Sequence, residues 1–174
     1  MKIYLPKLKL KDICIIALLG AIYAVLSQLL PIRITDSIKF TLSFLAVTVG
    51  ASLYGIKGGL LVGALGDAIG GIFLATGGAY FPGFTLSAAI TGAIYGLFLA
   101  GRKYRFIYSL AAIIVSQIVS SLLLNSIFIS VMYGTDFLIQ LKLRLIQCAV
   151  MIPIQTIAVH LFMKLAFPKI KKQI

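Results

Sequence analysis

Gly58-Gly59-Leu60-Leu61-Val62-Gly63-Ala64-Leu65-Gly66-Asp67-Ala68-Ile69-Gly70-Gly71-Ile72-Phe73-Leu74-Ala75-Thr76-Gly77 decides the fold. The stretch is apolar or small throughout, with Thr76 near its end and a single charge, Asp67. A bilayer core about 30 Å thick takes roughly 20 such residues as one helix. Gly59-x-x-x-Gly63 and Gly66-x-x-x-Gly70 repeat at one-turn spacing, which lets membrane helices meet backbone to backbone. A matching stripe lies downstream in Ala88-x-x-x-Gly92 and Gly92-x-x-x-Gly96. The sequence therefore predicts two membrane helices in close contact.

Outward from that stretch the same reading divides the chain into six spans, near 12–30, 40–55, 58–77, 83–100, 106–132 and 140–167. The second and third are separated by only Gly55-Ile56-Lys57-Gly58. A turn is expected there, because Gly-Ile-Lys-Gly-Gly is a poor helix interior and 40–77 is too long for one span. Hydrophobic residues are 61% and charged residues 11%, against roughly 45–50% and 25% in soluble domains. That composition excludes a soluble globular domain and a disordered chain. Two cysteines exclude a disulfide scaffold. The prediction is an all-α membrane protein, one integral-membrane domain over 1–174.

Charge sets the orientation. Sixteen Lys and Arg face four acidic residues, all Asp. With the N-terminus inside, twelve cations fall on the inner side: Lys2, Lys7, Lys9, Lys11, Lys57, Arg102, Lys103, Arg105, Lys164, Lys169, Lys171 and Lys172. Four fall outside: Arg33, Lys39, Lys142 and Arg144. This imbalance predicts six spans with both termini cytoplasmic, in the cell membrane. The cations lie between apolar runs, so nucleic acid is not an expected partner; the lipid bilayer is. The first apolar run ends in Gln28-Leu29-Leu30-Pro31 without a small-residue cleavage site, and reads as a retained helix. Cys14 and Cys148 fall in spans and read as small buried hydrophobes.

Helix 1 carries Ala17-x-x-x-Ala21 interlocked with Gly20-x-x-x-Ala24. The stripe suits packing within the bundle or a smooth face for another membrane protein. No phosphate-binding loop, HExxH, paired-Cys motif or nucleophile elbow occurs. The single His160 has no Cys, Glu or second His to join it and reads as a buried or interfacial side chain. An enzyme is not expected, no metal or cofactor is implied, and ATP hydrolysis would have to come from elsewhere.

Polar groups at membrane depth are costly and mark function. On the outer half the topology collects Arg33, Asp36 and Lys39, the segment 77–85 with Tyr80, Phe81 and Phe84, Asn125, and Lys142, Arg144 and Gln147. Arg144 and Gln147 are three apart and share a helix face. Cations meet carboxylates or phosphates, Arg bidentately; the aromatics offer faces for a ring; Asn125 and Gln147 match a heterocycle with an amide-like edge. Lys39 and Lys142 equally suit snorkelling to headgroups. Asp67 reads as a ligand contact, a proton carrier or a hydrogen-bonding node between packed helices, the node first.

The run Phe40 to Gly70, with its Tyr54-Gly55 turn and Gly66-Asp67 step, resembles the substrate-binding S components of energy-coupling factor (ECF) vitamin transporters. Tyr80-Phe81-Pro82-Gly83-Phe84-Thr85-Leu86-Ser87-Ala88, with Asn125 and Arg144-Leu145-Ile146-Gln147, resembles the folate branch. The resemblance implies six helices that bind a vitamin on the outer side. It also implies a transmembrane coupling protein (EcfT-type) and two ATPase subunits as partners, and toppling in the membrane during transport. It makes Ala17, Gly20, Ala21 and Ala24 partner-docking candidates and favours a structural role for Asp67. Folate's pterin would stack on an aromatic of 80–84 and bond to Asn125 and Gln147, with its glutamate tail at Arg33 and Arg144. The chain has no Trp, so stacking falls to Tyr or Phe. Another vitamin or a nucleobase-like precursor, an ion-coupled carrier using Asp67, and a ligand-free structural subunit are the other readings.

Overall fold

The structure, a computed structural model, describes residues 8–30, 32–35, 38–74, 80–101 and 106–165. Helix α1 (Leu10–Gln28) leads into a short antiparallel hairpin of β1 (Ile32–Thr35) and β2 (Ile38–Phe40), with Arg33 opposite Lys39. Helices α2 (Ser43–Phe73) and α3 (Pro82–Leu99) follow. A single rod then runs through α4 (Phe106–Ser116), a π-helical segment π1 (Gln117–Leu124) and α5 (Asn125–Tyr133), and α6 (Phe137–Leu165) closes the fold. Five of these rods are long and apolar enough to cross a membrane. This is a membrane protein, all-helical but for the hairpin.

Local chemistry sets the ends. Lys9 caps α1, its backbone N–H donating to the Asp12 carboxylate at 2.8 Å. Pro82 stands in the first turn of α3, where its missing N–H is not needed. Gly134 ends α5 in the left-handed conformation, at φ 62°.

Where the sequence predicts two spans over 40–55 and 58–77, the structure has one element, α2, broken at Gly55 alone (φ 67°, ψ −150°). A side chain rarely adopts that conformation. Ile56, Lys57 and Gly58, expected in a turn, are helical. The chain nevertheless doubles back: a Cβ on Gly50 would press on Val62 and the Gly58 carbonyl. In a straight helix those residues would lie about 12–18 Å away. The first arm, 43–54, is only about 18 Å long, because Phe40 belongs to β2 and not to the helix. Nearly all of that arm is buried. Protein therefore encloses it on the sides where a short helix would leave backbone facing lipid.

The second arm is the hub, and its two glycine pairs face different neighbours. Gly59 lies against Gly92 and Gly63 against Ala88, while Gly96 reaches the Gly55–Ile56 corner, so α3 runs antiparallel to this arm. Gly66 and Gly70 instead meet Tyr23, Ala24 and Ser27 of α1, which runs parallel. Val62, Tyr95, Ile113, Val159 and Met163 fill the core. On α1 the small-residue stripe divides. Gly20 and Ala24 are buried against α2, and Ala17 and Ala21 are exposed. Cys148 is buried but Cys14, read from sequence as buried, is exposed.

A Cβ on Gly59 would overlap the Gly92 carbonyl. Gly59→Val should lower stability by about 1–3 kcal/mol or more, measured by thermal unfolding in detergent. Truncating exposed Leu60 to Ala should move the transition much less.

Candidate functional site

A cavity of about 820 Å³ opens among all the rods. Asp67, Tyr80, Phe81, Phe84, Asn125, Arg144 and Gln147 all line it. They come from four separate parts of the chain, so the fold brings together seven of the eight residues singled out in the sequence. The eighth, Arg33, has its backbone in β1, and its side chain lies outside the described residues, as do Asp36 and 77–79. Lys142 is exposed and not part of the lining. The basic residues of 102–105 and of both chain ends beyond 8 and 165 are likewise outside the described residues.

Asp67 belongs to a hydrogen-bonded chain. Thr85 Oγ1 donates to Asp67 Oδ2 at 2.9 Å, and Tyr80 Oη lies 2.8 Å from Thr85 Oγ1. A hydroxyl has one hydrogen to give; with Thr85's given to Asp67, Tyr80 must be the donor to Thr85. The chain ties the second arm of α2 to the start of α3 and fixes the Tyr80 ring. Asp67 thus acts as a node between helices while also facing the cavity.

The aromatic wall is a cluster. Phe81 and Phe84 stand edge to face at 5.9 Å, and Phe128 of α5 packs against them at 5.6 and 6.2 Å. Edge contacts of this kind hold ring orientations, leaving Phe81 and Phe84 on the cavity side. On α6, Arg144 Nη1 donates to Gln147 Oε1 at 3.3 Å, which restrains the guanidinium. Arg144 is the only Lys or Arg among the described lining residues.

Several lining groups escape the sequence reading: Gln117, Ser120, Gln140 and Gln155, with Tyr23 and Tyr95. Asn125 owes its place on the same wall as Ser116, Gln117 and Ser120 to π1. Ser116 and Asn125 are nine residues apart, about two and a half turns of α-helix, which would set them on opposite faces. The wider i→i+5 turn of a π-helix brings both to the cavity. The polar run Ser116-Gln117-x-x-Ser120-Ser121 inside an apolar span is the signal that could have found them. Asn125 Oδ1, Ser120 Oγ and Gln140 Oε1 are buried without a hydrogen-bond partner among the described residues. Such groups are costly unless something supplies the missing bond. His160, away from the cavity, packs edge-on against Phe106 at 5.5 Å. Among the described residues no group of three or more His, Cys, Asp or Glu is placed to hold a metal.

A family model described as the ECF transporter substrate-specific component matches residues 11–171. The chain belongs to this family. A folate transporter FolT of Clostridium novyi (strain NT) is 31% identical to this substrate-specific component over 126 residues, 72% of this chain and 73% of the relative. A second FolT, from Leuconostoc mesenteroides subsp. mesenteroides, is 31% identical over 156 residues, covering 86% of this chain and 83% of its own. A crystal structure of FolT bound with folic acid aligns with a TM-score of 0.79 at 27% identity, covering 87% of this chain and 92% of that one. These relatives of the substrate-specific component are transporters and not enzymes.

Thr85→Val in this substrate-specific component should leave both Tyr80 Oη and Asp67 a partner short. A loss of about 1–3 kcal/mol is expected in thermal unfolding of the purified protein, with Thr85→Ser retaining most of the stability.

Proposed function

We propose that this substrate-specific component captures folate from outside a bacterial cell and delivers it inward with energy supplied by partner proteins. One observation carries the reading: one cavity joins Arg144, an aromatic wall and buried amide oxygens that lack partners among the described residues. Folate offers a counterpart to each, with carboxylates for the guanidinium, flat rings for Phe81 and Phe84, and N–H donors for the amide oxygens. Both curated relatives are folate transporters and the structural relative holds folic acid, which supports the same cargo. Arg33 joins Arg144 at the carboxylates in this reading. Tyr80 and Asp67 shape the wall through Thr85.

Six traverses with both termini cytoplasmic follow if the two arms of α2 count as separate crossings. The reversal at Gly55, beside exposed Lys57, supports that count. The twelve-to-four partition of cations then turns the Tyr80 end of the cavity to the outside. As the resemblance to ECF S components implies, ATP is hydrolysed by two partner ATPases acting through a transmembrane coupling protein; this sequence has no phosphate-binding loop of its own. The docking face is the exposed side of α1, Ala17 and Ala21. Gly20 and Ala24, buried against α2, hold that face in place.

Titration of the detergent-purified protein with folate tests the cargo: saturable binding is expected, and its absence removes the reading. Arg144→Ala should weaken that binding at least tenfold, roughly 1.4 kcal/mol; unchanged affinity would take Arg144 out of the site. Ala17→Leu combined with Ala21→Leu should abolish co-purification with the coupling protein and leave folate binding intact. Survival of co-purification would move the docking face elsewhere.

A further inference from the structure

The rod that begins at Phe106 changes its ladder midway. Over Gln117–Leu124 the bonds run i→i+5, and at its end the Ser120 carbonyl accepts the Asn125 N–H, where an α-helix would use that of Leu124. Such helices are rare and mostly confined to one turn, frequently at functional sites. Eight residues of wide ladder therefore need support from outside the rod. Ser87 of α3 supplies it. Its buried hydroxyl donates to the second lone pair of the Ser120 carbonyl at 3.4 Å, and a side chain inserted at a ladder carbonyl spreads the turn.

A permanent bulge would account for the ladder but not for the groups beside it. Ser120 Oγ, Asn125 Oδ1 and Ser126 Oγ are buried without a partner among the described residues. A buried serine in a regular helix can bond back to the carbonyl three or four residues before it. Ser116, at the end of α4, does so to Ile113 at 2.9 Å. Narrowing π1 to an α-helix would offer Ser120 and Ser126 the same bond and would give up the contact with Ser87. Each form satisfies what the other forgoes, which is the property of a bistable element.

The two forms also differ in what they show the cavity. Ser116 and Asn125 share its wall, and on an α-helix they would stand on opposite faces. Narrowing thus turns α5 by up to about half a turn, taking Asn125 out of the wall and Phe128 away from Phe81 and Phe84. We propose that π1 is a register switch: Ser87 is the positioning residue that holds it wide, and loss of that hold narrows it and swings Asn125 and Phe128 off the cavity. The switch itself rests on the ladder, and its coupling to cargo rests on the folate reading. Cargo bonded to Asn125 favours the wide form, and narrowing withdraws that contact for release. A ligand shifts such an equilibrium only by its differential affinity, and Asn125 is where the difference arises.

The test is a distance between spin labels in the full-length protein in lipid nanodiscs. Labels go on Val131→Cys of α5 and Leu65→Cys of α2, both exposed, with exposed Cys14 replaced by Ser and buried Cys148 left in place. On a helix about 10–12 Å across, half a turn moves a surface label by several ångströms. Without ligand the wild type should show two distances, and saturating folate should leave one. Ser87→Ala should shift the ligand-free protein to the other distance and weaken folate binding at least about tenfold. Ser87→Thr keeps the hydroxyl and should behave as the wild type. Ser126→Ala removes a bond available only to the narrow form. It should move the ligand-free protein toward the folate-bound distance and raise folate affinity by about twofold or more, which a merely structural serine would not do. One unchanged distance in the wild type, with folate and in Ser87→Ala, overturns the switch while the folate reading stands. So does a folate affinity that Ser126→Ala fails to raise. Should Ser87→Ala fail to fold, the Ser126→Ala distance decides. A wild type that never binds folate removes the folate reading instead, and the ligand-free distances still decide the switch.

Discussion

Backbone contact between the second arm of α2 and α3 is the constraint on which the rest of this molecule depends. Gly59 faces Gly92 and Gly63 faces Ala88 with no room for another side-chain carbon. Lipid provides no hydrophobic drive for helices to associate, so close contact of small residues must do it. This contact also sets a geometry. It fixes Thr85 beside Asp67, and through Thr85 the Tyr80 ring. The other face of the same arm holds α1 through Gly66 and Gly70. One helix with glycines on two faces is therefore the rigid side of the cavity.

The opposite side is built on different principles. The rod from Phe106 to Tyr133 and α6 carry the amides, the serines and Arg144, and polar contacts through Gln117 join them. Its π segment leaves more polar groups facing inward than an α-helix would, some without partners among the described residues. Polar groups in a membrane interior without partners are expensive. Their retention on one wall, facing an aromatic cluster on another, is the physical argument for a ligand. Dense small-residue packing on one side offsets loose, polar packing on the other.

Much of the site was readable from the chain. Arg144, Asn125 and Gln147 stand out because a charge or amide in an apolar run needs a reason, and three-residue spacing puts Arg144 and Gln147 on one face. Phe81 and Phe84 flank Pro82, which opens α3. Gln117 was not read because nothing local announces a π turn, and Gln155 because its pairing with Gln117 across two helices is settled only by packing. Phe128 was missed for a simpler reason. A phenylalanine in a membrane span looks like any lipid-facing residue until its neighbours are known.

Composition and periodicity by themselves determined a helical membrane protein, the rough limits of most of its apolar runs, and the close pairing of the two glycine-rich stretches. These follow from the local rule that backbone polar groups in lipid must be satisfied within the helix. Only the tertiary structure decided that Gly55 alone breaks α2, that Gly66 and Gly70 serve α1 and not α3, and that Ala17 and Ala21 are the exposed half of their stripe. Each of these depends on which face meets which neighbour, and that is settled by packing between segments far apart in the chain.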